Sequence, residues 1–287
     1  MIPGPFEYHR PASVTEAVGL KSKLGDDARL LAGGHSLTPM MKLRLAAPEH
    51  LIDLQSIDDL KQITISGGVI TIGCMATQSA LIKSEELFKA CPILRETSLQ
   101  IADPQIRNMG TLGGNVANGD PGNDMPAVMK MLDATYLVQN QSGSRELSAR
   151  EFYEAAYFTQ LEEDEMLTAV RFNTPATGHG YSYMKQKRKV GDYATAAAAV
   201  TLSMSGGKCT EASIGLTNVA DTPLLADAAA TALVNTVVDE KSIDAAVSAA
   251  QSIVEPAEDG RGPADFRTHI AGVMVRRAIE TALSRAS

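Results

Sequence analysis

The spacing of apolar positions changes several times along the chain, and each change marks an element. Ser13-Val14-Thr15-Glu16 has the form of a capping box, in which Ser13 accepts from the third helical N–H and Glu16 reaches back to the cap. A helix is predicted from there to about Gly25. Ala28-Arg29-Leu30-Leu31-Ala32 is a short apolar run of strand type that ends in Gly33-Gly34-His35-Ser36. Met40, Met41, Leu43 and Leu45 suggest a helix, and His50-Leu51-Ile52-Asp53-Leu54 returns as a strand. Strand, glycine turn, helix and strand in that order predict a small βαβ unit, with the turn where phosphates commonly bind.

Gly68 to Gly73 is strand-like, and helices are expected over residues 77–90 and 92–101. Short strands joined by turns are expected to about residue 173. The segment from Phe172 to Gly180 is rich in turn formers and has no apolar period, which predicts a domain boundary, with one unit over residues 1–177 and a smaller one over 178–287. In the latter, residues 195–204 and 208–218 predict a hairpin around Ser205-Gly206-Gly207-Lys208, because paired glycines supply the positive φ angles of tight turns. Alanine-rich amphipathic segments near 224–234, 241–253 and 267–285 predict three helices. The class expected is α+β.

Composition narrows the function. With 287 residues, 44% of them hydrophobic, the chain can bury one or two ordinary cores. A formal net charge of −8 would repel a phosphate backbone, so nucleic acid is not an expected partner. The N-terminus lacks the basic stretch and apolar run of a secretory signal, and no segment approaches the ~20 apolar residues of a membrane span, so a cytoplasmic location is expected. Cys74, Cys91 and Cys209 stand far apart, with no C-x-x-C pair. His9, His50, His179 and His269 have no companions at ligand or catalytic spacing. No metal cluster and no catalytic residue are therefore expected on this chain.

Two glycine-rich segments carry the candidate chemistry: Ala32-Gly33-Gly34-His35-Ser36, and Thr111-Leu112-Gly113-Gly114-Asn115 preceded by Arg107-Asn108-Met109-Gly110. Neither has dinucleotide-fingerprint or P-loop spacing. Paired glycines let backbone N–H groups approach an anion with no Cβ in the way, and Ser36 or Asn115 can add a side-chain donor. Either segment alone is also what plain chain reversal looks like. Two such loops from distant parts of one chain can clamp a pyrophosphate from both sides, which favours a large dinucleotide such as FAD. Asp120-Pro121-Gly122-Asn123-Asp124-Met125-Pro126 adds a helix start, with an Asp or Asn cap and proline in the first turn; it is either a cap alone or part of the site. His35 lies in the phosphate turn, where a spacer or hydrogen-bond donor is expected rather than an acid or base.

These two segments, the Asp103-Pro104-Gln105-Ile106-Arg107 approach to the second, and the run from Lys185 to Ala194 resemble the flavoprotein subunits of the xanthine dehydrogenase and carbon monoxide dehydrogenase family over nearly the whole chain. Ala117 to Asp124 and Gly191-Asp192-Tyr193-Ala194-Thr195 are most similar to the carbon monoxide dehydrogenase branch. The resemblance implies an FAD domain of the vanillyl-alcohol oxidase type, with subdomains of about 1–54 and 55–177, followed by a domain with an antiparallel sheet and helices. It implies that residues 32–36 and 111–115 hold the pyrophosphate, with Ile101 and Asp124 nearby and Lys185 and Tyr193 near the isoalloxazine. Lys185 would stabilise an anionic reduced flavin; the alternative is a solvated basic strand end, which is the reading expected for three of the four charges in Lys185-Gln186-Lys187-Arg188-Lys189. Tyr193 would stack on the ring or pack as core.

The same resemblance implies an electron outlet. A large subunit with a molybdenum-pterin cofactor oxidises the substrate, a small subunit with two [2Fe–2S] clusters relays electrons, and FAD passes them to an external acceptor. The assembly implied is a dimer of heterotrimers, with peripheral attachment at the inner face of the membrane possible by family analogy. Two alternatives stay open from the residues: the FAD subunit of another molybdenum hydroxylase, acting on a purine, an N-heterocycle or an aldehyde, and a scaffold without flavin.

Overall fold

The computed structural model of the chain describes residues 2–287. Strand β1 (Glu7–His9) leads to helix α1 (Val14–Leu24), capped by Ser13, whose hydroxyl accepts from the Glu16 N–H at 3.2 Å. Glu16 accepts in return from the Ala12 N–H at 2.8 Å, one residue before the cap. Gly25, at φ 56°, stops the helix. Then come β2 (Ala28–Leu31), α2 (Leu37–Lys42) and β3 (His50–Asp53), and the sheet runs β1-β3-β2 with both pairs parallel. The βαβ unit is therefore present, with an extra edge strand. Strand β1 has no buried residue and hence no apolar period to betray it. It brings His9 beside His50, with ring centroids 5.2 Å apart, which corrects the expectation that these histidines have no companions. Crossover pairing joins residues that linear spacing keeps apart.

The hairpin β4 (Ile63–Ser66) and β5 (Val69–Gly73) precedes α3 (Gln78–Lys83), α4 (Glu85–Ala90) and α5 (Ile93–Gln100). The helix expected over 77–90 is two helices, because Ser84 leaves the helical conformation and caps α4 by accepting from the Leu87 N–H at 3.2 Å. Two helices, α6 (Pro104–Met109) and α7 (Leu112–Ala117), follow where short strands were expected, and α8 (Asp124–Met131) begins at the expected helix start. Asp103 caps α6 ahead of Pro104, and Thr111 caps α7. Six-residue helices are too short to display a period, so the caps were their signal. The chain continues through β6 (Thr135–Asn140), β7 (Gly143–Ser148), the small ribbon β8 (Tyr153–Ala155) and β9 (Phe158–Thr159), and β10 (Met166–Asn173). An antiparallel sheet of order β4-β5-β10-β6-β7 results.

The last sheet is antiparallel, of order β11 (Gly180–Gln186), β12 (Ala196–Ser205), β13 (Lys208–Thr217) and β14 (Leu224–Leu225). Gly206 and Gly207 make the predicted hairpin turn at φ 56° and 75°. The three expected helices are α9 (Asp227–Leu233), α10 (Glu240–Gln251) and α11 (Ala264–Arg285). The fold is α+β, ending in a domain with an antiparallel sheet and helices. Strand β12 is buried on both faces, which explains its unbroken apolar run. Ala197 and Ala199 join the core of the first half, while Ala196, Ala198 and Val200 join a second core with α11. Among the described residues no helix is long and apolar enough to cross a membrane.

Helix α8 is buried along its whole length and lies against the last sheet. The Ser213 hydroxyl donates to the Met131 carbonyl at 2.8 Å, and Lys130 Nζ donates to the Pro223 carbonyl at 2.9 Å. Gly215 comes so close that a Cβ there would stand 3.1 Å from the Ala127 carbonyl carbon. Gly215→Ala is therefore expected to destabilise the chain by about 1–3 kcal/mol, as overpacking does. A denaturant midpoint equal to that of the parent protein would contradict this seating of α8.

Candidate cofactor-binding site

A cavity of about 540 Å³ opens where the turn after β2, the start of α7 and the segment after β11 converge. That is within the roughly 300–1,000 Å³ usual for small-molecule and cofactor sites. Ala32, Gly33, Gly34, His35, Ser36, Ile101, Thr111, Gly113, Gly114, Asn115, Asp124, Lys185 and Tyr193 all line it. Leu112 does not: its side chain is fully buried in the first core. A residue at the first helical position beneath a cap has the sequence context of a ligand contact, but here it packs inward.

The two glycine segments touch each other. A Cβ on Gly33 would overlap the Met109 carbonyl and come within 2.8 Å of Gly110 Cα. One on Gly114 would stand 3.3 Å from Ala32 Cβ, and one on Gly113 would stand 2.7 Å from Cys74 Cα. Gly34, at φ +73°, occupies backbone space that side chains rarely adopt. The missing Cβ atoms at 33, 113 and 114 thus allow protein segments to close on one another, which differs from the expected role of clearing space for an anion.

The donors are divided unequally. Among the described residues, the N–H groups of Gly33, Gly34, His35 and Ser36 have no protein acceptor. In the second segment every N–H from 112 to 115 is taken: Leu112 donates to the Ala76 carbonyl at 2.9 Å and Gly113 to the Cys74 carbonyl at 2.8 Å. Gly114 donates to Thr111 Oγ1 at 3.0 Å and Asn115 to the Thr111 carbonyl at 3.1 Å. An even backbone clamp from both sides is therefore replaced by one loop of free N–H groups facing a segment that offers mainly side chains. The Thr111 hydroxyl, the Asn115 amide nitrogen and the backbone N–H of Thr111 are the donors left there.

Asn115 also organises the start of α8. Its Oδ1 accepts from the Met125 N–H at 3.2 Å, and its carbonyl accepts from Asn123 Nδ2 at 2.8 Å. The cap on α8 thus comes from α7, whereas a local Asp or Asn cap was expected; Asn123 makes no side-chain cap bond. Asp124 is buried, pairing with Lys185 Nζ at 2.8 Å and accepting from the Tyr183 hydroxyl at 2.5 Å. Burial raises the Asp124 pKa, with Lys185 opposing, and burial beside Asp124 holds the Tyr183 hydroxyl far above the usual tyrosine range. The Lys185 side chain is 1% exposed, so it is not part of a solvated strand end, and its charge is matched by Asp124. Lys187 turns inward too, donating to Gln100 Oε1 at 2.9 Å, and burial lowers its pKa. Arg188 pairs with Asp192 at 2.9 Å on the surface.

Tyr193 sits at the mouth of the cavity, 42% exposed. Its hydroxyl donates to Asp120 Oδ2 at 3.0 Å, and its ring edge packs where a Cβ on Gly122 would be. His35 is exposed, with no hydrogen-bonded partner for its ring among the described residues. Two wall residues escaped sequence reasoning. Glu165 makes a bidentate pair with Arg145, at 2.6 and 2.8 Å, and accepts from the Glu162 N–H at 2.9 Å; Arg145 above all holds its carboxyl below the usual range. Burial pushes the Cys74 thiol up to about 12, so it stays un-ionised. Neither residue stands in a motif.

Residues 4–175 match the family described as the FAD binding domain in molybdopterin dehydrogenase, and residues 181–282 match the CO dehydrogenase flavoprotein C-terminal domain. The chain belongs to this flavoprotein family. It is 61% identical to the carbon monoxide dehydrogenase medium chain of Afipia carboxidovorans, over 100% of this chain and 99% of that one. It is 46% identical to the medium chain from Hydrogenophaga pseudoflava, over 99% of each. A chain in the crystal structure of the Cu,Mo-CO dehydrogenase, cyanide-inactivated form, aligns over 100% of both chains with a TM-score of 0.98 and 61% identity.

Two outcomes follow from the buried charges of this flavoprotein. Asp124→Asn leaves a buried ammonium without its counter-charge and is expected to cost about 3–5 kcal/mol in a denaturant titration, much of it recovered by adding Lys185→Met. Equal stability of parent and Asp124→Asn would refute the pairing. Glu165 has a folded pKa below its unfolded one, so its stabilisation is complete above the ordinary glutamate range and vanishes as pH falls through the depressed value. Glu165→Gln should therefore be less stable than the parent at neutral pH, with the gap closing in acid. A gap that widened on acidification would reverse the sign assigned.

Proposed function

We propose that this chain is the FAD-carrying medium subunit of a carbon monoxide dehydrogenase. In that reading CO and water become CO2, two protons and two electrons on a large subunit holding a molybdenum-pterin cofactor. Electrons arrive here through a small subunit with two [2Fe–2S] clusters and leave to an external acceptor. The observation that carries the reading is the 61% identity along the entire chain to a carbon monoxide dehydrogenase medium chain. The assembly is a dimer of heterotrimers on the cytoplasmic side, and the chain divides near residue 177 into an FAD domain, with its own division near residue 54, and a C-terminal domain.

The residues present fit the cofactor. An anion needs unpaired donors, and residues 33–36 supply four N–H groups without protein acceptors beside a cavity of about 540 Å³. These would hold the pyrophosphate, with Ser36 beside them and the side chains of Thr111 and Asn115 opposite. Bound FAD would supply the capacity to accept two electrons and to exchange them singly. Asp124 and Lys185 give the cavity wall a matched pair, so a cofactor meets no isolated buried charge there. Ile101 and Tyr193 add an apolar wall and an aromatic mouth.

Purification of the complex through this chain, followed by acid release, should yield FAD at about one per chain, reduced on exposure of the complex to CO. Absence of flavin, or flavin that a purine or aldehyde reduces and CO does not, would overturn the proposal. Gly33→Ala should cut flavin content at least tenfold by forcing the Met109–Gly110 peptide away, while Gly19→Ala, with open space around it, should leave flavin content unchanged.

A further inference from the structure

We propose that Glu7, His9 and His50 form a binding site for one zinc-like divalent cation on the first sheet, separate from the cofactor cavity, which none of the three lines. Parallel register sets Glu7 opposite His50, and alternation along β1 puts His9 on the same face as Glu7. His9 Nε2 and His50 Nδ1 stand 3.1 Å apart. Glu7 Oε2 lies 3.4 Å from His50 Nδ1, and Glu7 Oε1 lies 3.9 Å from His9 Nε2. A tetrahedral zinc with ligand bonds of about 2.0–2.1 Å separates its donors by about 3.4 Å. The nitrogens and the carboxylate, which turns a different oxygen to each ring, thus stand within about half an ångström of such spacings before any ion is considered.

Two imidazole nitrogens facing each other at 3.1 Å beside a carboxylate are satisfied either by an N–H···N hydrogen bond between neutral rings or by a cation held among all three groups. Two nitrogens and one carboxylate oxygen suit zinc and its first-row neighbours better than magnesium or calcium. The imidazoles are only 18% and 20% exposed, so their rings are held in place, while Glu7 is 67% exposed and leaves a side open for water as fourth ligand. On the opposite face of β1, the Tyr8 hydroxyl donates to Asp53 and fixes the strand against β3. A bound ion would clip this three-residue edge strand to its neighbour.

The test is calorimetric titration of ZnCl2 into the full chain, stripped with chelator and carrying no polyhistidine tag, with Co2+ as a spectroscopic substitute. One Zn2+ per chain is expected, with a rise in Tm and a four-coordinate Co2+ spectrum. His50→Ala and the exposed Glu7→Ala should each weaken binding at least tenfold and abolish the Tm shift without changing flavin content. No saturable Zn2+ uptake, or uptake unaltered in both variants, would overturn the site.

Discussion

At Gly33 a hydrogen stands where any other residue would place a carbon against the Met109–Gly110 peptide, and the cofactor cavity exists because of that contact. The turn after β2 belongs to a parallel βαβ unit, and the start of α7 belongs to a helical layer on an antiparallel sheet. Neither element has a reason of its own to meet the other. Close approach of two backbones brings them together, with Gly113 set against Cys74 in the same manner. Once the second segment is anchored through the N–H groups of residues 112–115, most of the backbone donors left for an anion belong to the first, with that of Thr111 opposite. The geometry that closes the loops therefore also decides how the donors are shared between them.

A second constraint joins the halves of the chain. Helix α8 starts on Asn115, ends under β13, and presents Asp124 to Lys185 and Tyr183 from β11. A buried carboxylate, ammonium and phenol satisfy one another in one arrangement, and breaking any partnership would leave a desolvated polar group. Specificity of arrangement is thus bound up with the wall of the cavity. Shifting the last sheet relative to α8 would disturb packing and charge matching together.

Much of this was legible in the sequence because local chemistry announces itself locally. The Ser13 cap, the Gly206-Gly207 turn and the alanine-rich helices rest on interactions within a few residues, and the structure has each of them. The two glycine segments stood out for the same reason. What escaped depends on distant partners: β1 has no apolar pattern, His9 meets His50 only through a crossover, and Asn115 caps a helix other than its own. Lys185 is a site candidate in a run whose other three charges are expected in solvent; its pairing with Asp124 is visible only in the fold, and Lys187 turns inward as well. Helices α6 and α7 were missed because six residues show caps but no period.

The loop over residues 33–36 offers four free backbone donors to the cofactor phosphates, against one, at Thr111, from the segment opposite. Amide hydrogen exchange on the deflavinated chain and on the FAD-loaded chain reports which of these amides the phosphates cover. Amides 33–36 should exchange freely without FAD and become protected with it, while amides 112–115 should be protected in both states. Unchanged exchange at 33–36, or FAD-dependent protection confined to 112–115, would contradict that role of the loop.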